Sequence, residues 1–179
     1  MTGKSDFIMW EYTGQKRPPF AEQPRKGQES VWDYPRPPSL ADDGRHIQVR
    51  AGDLVIADTT RAVRLLETAS PPTFYIPQED VRTELLAAHP STSYCEWKGD
   101  AQYWALKRDN GVREMIGWSY PRPKPGFERI AGYLAFYPSR VECYVDDERV
   151  QPQPGEFYGG WVTREIVGPF KGAPGTNGW

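Results

Sequence analysis

Between Cys95 and Trp104 the chain places a thiol, an ammonium and three large aromatic rings within ten positions, as Cys95, Trp97, Lys98, Tyr103 and Trp104. Apolar rings with a few polar heads among them are the materials of a small-molecule pocket. Lys98 has three chemical uses: pairing with a ligand anion, forming a Schiff base with a carbonyl once desolvated, or bridging to an internal carboxylate such as Glu67. Cys95 stands near that cation, and a neighbouring positive charge favours the thiolate that attacks electrophiles. The alternative for Cys95 is a small buried apolar residue, the usual fate of a free cysteine. Lys98 and Cys95 are therefore the candidate catalytic groups. Trp97, Tyr103, Trp118 and Tyr120 together suit an enclosure for flat rings or cations, the alternative being an aromatic core. Glu67 follows the apolar run Val63–Leu66 and is expected to face inward, with Arg64 on the opposite face. Glu67 and Tyr75 complete the expected ligand-binding set.

Other patterns carry less chemistry. Cys95 and Cys143 lie in no CxxC pair, and His46 and His89 are isolated, so neither a zinc site nor a disulfide is expected. Asp146 and Asp147 are adjacent; on a strand they would point to opposite faces and could not converge on one ion. Gly159-Gly160 and Gly172…Gly175 lead into no helix whose N-terminus would cradle a phosphate. No metal and no cofactor is expected.

The elements that position these groups read as β. Eighteen prolines and seventeen glycines spread between short apolar stretches exclude a helical bundle and point to a loop-rich β protein. Ile47–Ala51 and Asp53–Ala57 flank Gly52, and Ala62–Glu67 and Thr73–Ile76 follow. Ala101–Lys107 and Val112–Trp118 flank Asn110-Gly111, a strong hairpin signal. Gly132–Tyr137 and Val141–Val145 read as a further strand pair bent at Pro138. One short helix is expected over Glu79–Ala88, with acidic residues in its first turn, Val81, Leu85 and Leu86 on one face, and Pro90 as its stop. Residues 1–46 form a proline-rich arm expected to dock through Trp10, Phe20, Trp32 and Tyr34, because such rings are costly to leave in water. Residues 47–150 form the core, and residues 151–179 a glycine- and ring-rich C-terminal arm. The run Trp32-Asp33-Tyr34-Pro35-Arg36-Pro37 is echoed at Trp118-Ser119-Tyr120-Pro121-Arg122-Pro123, and Lys98-Gly99 at Lys171-Gly172. Duplication and repeated use of one local turn both account for such short echoes.

A net charge of -2 and a pI near 5.8 give no general attraction to phosphate backbones, so nucleic acid is not an expected partner. No apolar run reaches the roughly 18 residues that cross a bilayer. Met1–Trp10 has no apolar segment of the secretory kind, which predicts a cytoplasmic protein. Arms of this sort often exchange between protomers, so a homodimer is a possible state.

The anchors Val55-Ile56-Ala57, Tyr75-Ile76-Pro77, Cys95-Glu96-Trp97-Lys98-Gly99, Trp118…Tyr120-Pro121 and Gly132-Tyr133…Ala135-Phe136-Tyr137, in this order, resemble the domain-of-unknown-function 427 family over about Arg50 to Val150. Glu96 departs from that family, where proline usually follows the cysteine. The resemblance implies a β-tent, two antiparallel sheets meeting steeply over a cleft, without the paired CxxC zinc motifs of related tents. It also brings a nucleotidyltransferase label, for which the aspartates above offer no support. The expectation is an all-β protein that binds a small polar or aromatic metabolite in a ring-lined cleft, with Lys98 and Glu67 as charged contacts. The competing readings are a cofactor-free enzyme using Lys98 or Cys95, and a structural or protein-interaction module.

Overall fold

Proline and glycine punctuation cuts the chain into short β segments, and nearly all regular structure in the computed structural model, which describes residues 10–179, is strand. Residues 1–9, the start of the expected arm, lie outside the described residues. The strands are β1 (Glu29–Ser30), β2 (Ser39–Asp43), β3 (Ile47–Ala51), β4 (Leu54–Thr59), β5 (Ala62–Leu66), β6 (Thr73–Tyr75), β7 (Leu86–Cys95) and β8 (Gly99–Lys107). They continue as β9 (Arg113–Ser119), β10 (Leu134–Phe136), β11 (Glu142–Val145), β12 (Glu148–Arg149), β13 (Gln151–Pro152), β14 (Trp161–Val162) and β15 (Ile166–Val167). Among the described residues the helical segments are short 3-10 turns, and no helix is long and apolar enough to cross a membrane.

Two four-stranded antiparallel sheets, ordered β10-β9-β8-β7 and β12-β11-β3-β4, face each other with a three-stranded sheet β2-β5-β6 beside them. Ile76 and Leu134 exchange backbone hydrogen bonds of 2.8 and 2.9 Å, joining the end of β6 to β10. The strands expected on either side of Gly52 pair as β3-β4, and the hairpin expected at Asn110-Gly111 forms as β8-β9. Asp146 and Asp147, with φ of 45° and 67°, make the two-residue turn between β11 and β12, a backbone that short polar side chains tolerate.

Two expectations are corrected. No helix forms over Glu79–Ala88: Gln78–Asp80 and Thr83–Leu85 are single 3-10 turns, and Leu86 already belongs to β7. A ten-residue helix is marginal alone. Here Val81 bridges to Ala57, the Arg82 N–H donates to Ile56, and Leu86 pairs with Leu106, so sheet contacts satisfy the segment instead. Pro90 sits in the irregular part of β7, an edge strand where a missing N–H is tolerated. Second, the segments on either side of Pro138 do not pair. β10 joins β9 and β11 joins β3, so the bend carries the chain from one sheet to the other. Within the segment read as an arm, β2 pairs along its length with β5.

The main core lies between the two large sheets, with Ile47, Val49 and Ile56 against Leu106, Ile116 and Phe136. Trp161 from the C-terminal segment plugs it, stacked 4.7 Å from Phe74 with its indole N–H donated to the Phe136 carbonyl. A separate cluster gathers the chain ends. Trp32 is fully buried, with the Tyr12, Phe20 and Trp179 rings at 5.6, 5.3 and 5.2 Å. Trp32 lies on a 3-10 turn whereas Trp118 lies within β9, so the echoed runs differ in backbone.

Arg64, on the face of β5 away from the aromatic cluster, ties Glu29 at 3.0 Å to Asp43 at 3.4 Å, and Arg45 grips Asp43 at 2.7 Å. Burial alone would raise the Asp43 pKa, but hydrogen bonds from Arg45 and the charge of Arg64 outweigh it and hold the carboxyl below its ordinary value. A folded-state pKa below the unfolded one means stabilisation that is present at neutral pH and lost as the pH falls through the carboxylate range. Asp43→Asn should therefore cost roughly 1–3 kcal/mol at neutral pH and show a smaller further loss on acidification than the unsubstituted chain, as read from urea midpoints at both pH values.

Candidate functional site

Strand alternation sorts the aromatic run into two faces. Tyr103 opposes Trp118, and Trp118 opposes Ala135, so these side chains share one face of the β7-β10 sheet. Trp104 opposes Gly117 and packs against the main core on the other face. On β5 and β6, Leu65 opposes Thr73, and Glu67 follows two positions after Leu65, on the same side. Because Ile76 and Leu134 join the sheets, these two sets of side chains meet around a cavity of about 240 Å³.

The wall is aromatic with polar tips. Trp118 lies 4.6 Å from Tyr137 and edge-on to Tyr75 at 6.4 Å, with Tyr120 tilted against Tyr75 at 6.4 Å. Burial pushes the phenols of Tyr75, Tyr120 and Tyr137 well above their ordinary pKa, so at neutral pH each is an O–H group and not a phenolate. The Tyr103 hydroxyl is engaged with Ser93 at 2.8 Å.

All the residues expected to bind a ligand line this cavity except Trp97. Glu67, Tyr75, Lys98, Tyr103, Trp118 and Tyr120 are in the wall, as is Cys95. Trp97 is half-buried against the outside of the same aromatic cluster. It and Lys98 occupy consecutive turn positions between β7 and β8, and Lys98 takes the cavity side. The Lys98 ammonium stands 5.3 Å from the Tyr120 ring centroid.

Glu67 is not bridged to Lys98. Its partner is the buried Arg36, at 3.7 Å. Arg36 also donates to the Thr68 carbonyl at 2.9 Å and lies 4.0 Å over the Trp10 ring. Burial lowers the Arg36 pKa, against the pull of Glu67. Glu67 thus reaches the cavity with much of its charge already matched from behind.

The C-terminal segment supplies wall residues that sequence reasoning missed, chiefly Lys171, Tyr158 and Gln153. Gln153 is buried and fixes both sides of the closing loop, its amide donating to the Lys171 carbonyl at 2.7 Å and accepting from the Gly160 N–H at 3.1 Å. Lys171 stands 5.6 Å over Tyr158 and 5.4 Å over Trp10. Burial lowers its pKa, opposed by the charges of Glu67 and Glu96 and assisted by that of Arg36. The echo of Lys98-Gly99 at Lys171-Gly172 was the available signal, since both lysines reach one cavity.

The profile of a domain of unknown function (DUF427) matches residues 39–147. That span includes Glu67, Tyr75, Cys95, Lys98, Trp118 and Tyr120 but not Gln153, Tyr158 or Lys171. No curated protein matches the chain.

Cys95 is half-buried at the cavity, whereas Cys143 is fully buried and burial pushes its thiol pKa up. A small disulfide reagent should therefore label native protein at Cys95 alone, with Cys143 released on unfolding in urea and native labelling abolished by Cys95→Ser. Equal native labelling of both thiols would contradict this placement.

Proposed function

The chain belongs to the DUF427 family, and from that starting point we propose that it binds a small polar or aromatic metabolite in the cavity bounded by Trp118, Tyr120 and Lys98. The observation that supports this reading is the convergence of Tyr75, Tyr103, Trp118, Tyr120, Lys98 and Glu67, from separate strands and loops, on one space of about 240 Å³. A core built only for packing would close over its rings, since interiors leave few voids larger than a water molecule. Here the rings keep a gap between them. The Tyr120 hydroxyl and the Lys98 ammonium have no hydrogen-bond or ion-pair partner among the described residues, and both border that gap. Rigid rings supply stacking area, and the few polar heads fix orientation. The space is small for a drug-sized molecule and suits a ligand of about one ring.

Thermal denaturation of the full chain against a metabolite library tests the reading. A ligand present at about 100 times its Kd stabilises by about 2.7 kcal/mol, which for a chain of this size raises Tm by roughly 5–10 °C. Lys98→Met should leave the unliganded Tm close to that of the parent and weaken the ligand at least about tenfold, a loss of about 1.4 kcal/mol. An undiminished shift in Lys98→Met would move the site elsewhere.

A further inference from the structure

The lining of the cavity carries more ammoniums than carboxylates. Two ammoniums, Lys98 and Lys171, stand in its wall, and Glu67 is the one carboxylate among its described lining residues. Glu67 is paired with the buried guanidinium of Arg36. Among the described residues neither ammonium has a hydrogen-bond or ion-pair partner. Lys98 stands instead over Tyr120, and Lys171 over Tyr158 and Trp10. Ring faces compensate a cation only in part, whereas a carboxylate in a partly desolvated site makes the stronger, charge-assisted hydrogen bond.

The backbone that carries both lysines is constrained. Each lysine precedes a glycine at positive φ, Gly99 at 99° and Gly172 at 121°, where a side chain would be strained. A Cβ on Gly172 would also run into the Pro154 carbonyl. Gln153 holds the Lys171 carbonyl, and the Lys124 N–H donates to the Lys98 carbonyl at 3.0 Å. The two ammoniums are thus carried by fixed turns on opposite sides of the family-matched region's boundary and brought to one space. Such fixing lowers the ordering cost of binding.

Resting on the proposed small-molecule site, we propose that its ligand is an organic anion, a small carboxylate whose charged end lies between Lys98 and Lys171 and whose flat apolar body lies against Trp118 and Tyr120. The lowered pKa of Lys171 fits the same picture, since a bound anion would favour the charged ammonium that burial disfavours.

The test is NMR titration of the full chain with benzoate and two neutral or cationic counterparts of the same shape, benzamide and benzylamine. Benzoate should shift the Trp118 indole resonance and bind at least about tenfold more tightly than benzamide. Its affinity, and not that of benzamide, should fall with added salt. Lys98→Met and Lys171→Met should each weaken benzoate about tenfold and leave benzamide unchanged, with Lys171→Gln as the substitute should the methionine disturb the fold. Benzamide or benzylamine binding as tightly as benzoate, with the same Trp118 shift, would overturn the anion inference and leave the binding site standing. No shift at Trp118 with any of the three, or benzoate shifts confined to a separate surface hollow lined by Arg50, Arg108, Arg140 and Arg149, would overturn both.

Discussion

Side-chain alternation along β8 and β9 is the constraint on which the rest of the molecule depends. It sends Tyr103 and Trp118 to one face of their sheet and Trp104 to the other, so the sheet is buried on both sides. One face completes the main core with Ile116 and Phe136. The opposite face holds too many large rings with polar tips to close on itself, and a cavity remains. A slip of one residue in this register would exchange the two faces, placing Tyr103 in the apolar core and Trp104 at the cavity.

The C-terminal segment serves both faces at once. Trp161 seals the main core by stacking on Phe74 and donating to the Phe136 carbonyl. Eight to ten positions either way along the chain, Gln153 and Lys171 close the aromatic cavity, linked by the Gln153 amide. Lys171 is therefore positioned by the same segment that completes the fold, and its placement cannot be separated from core packing. The opposite chain end contributes in the same manner: Arg36, beside the buried Trp32 cluster, matches the charge of Glu67 from behind. A cavity built from the family-matched strands thus has two of its neighbouring cations, Arg36 and Lys171, on segments outside that match.

Local signals in the sequence were reliable where the structure is local. Gly52 and Asn110-Gly111 mark hairpins that form, because turn chemistry fixes neighbouring strands. The density of rings and polar heads from Cys95 to Tyr120 marks the cavity wall for the same reason. Failures occurred where distant partners decide. Glu79–Ala88 has a helical apolar pattern, yet Ala57, Ile56 and Leu106 satisfy its backbone and its apolar side chains as sheet. The strands flanking Pro138 have equal β character to any pair, but their hydrogen-bond partners lie in different sheets. Arg36 as the partner of Glu67 was not legible, and Lys171 in the wall was signalled only by the echo of Lys98-Gly99 at Lys171-Gly172. Nothing local distinguishes a buried cation from a solvated one.

The most direct measurement is a crystal structure of the chain soaked with benzoate. The account predicts density for a carboxylate within hydrogen-bond reach of both the Lys98 and Lys171 ammoniums, with its ring against Trp118 and the Arg36–Glu67 pair unbroken. A cavity occupied instead by the side chain of Tyr158 or Phe157, with benzoate elsewhere on the molecule, would contradict it.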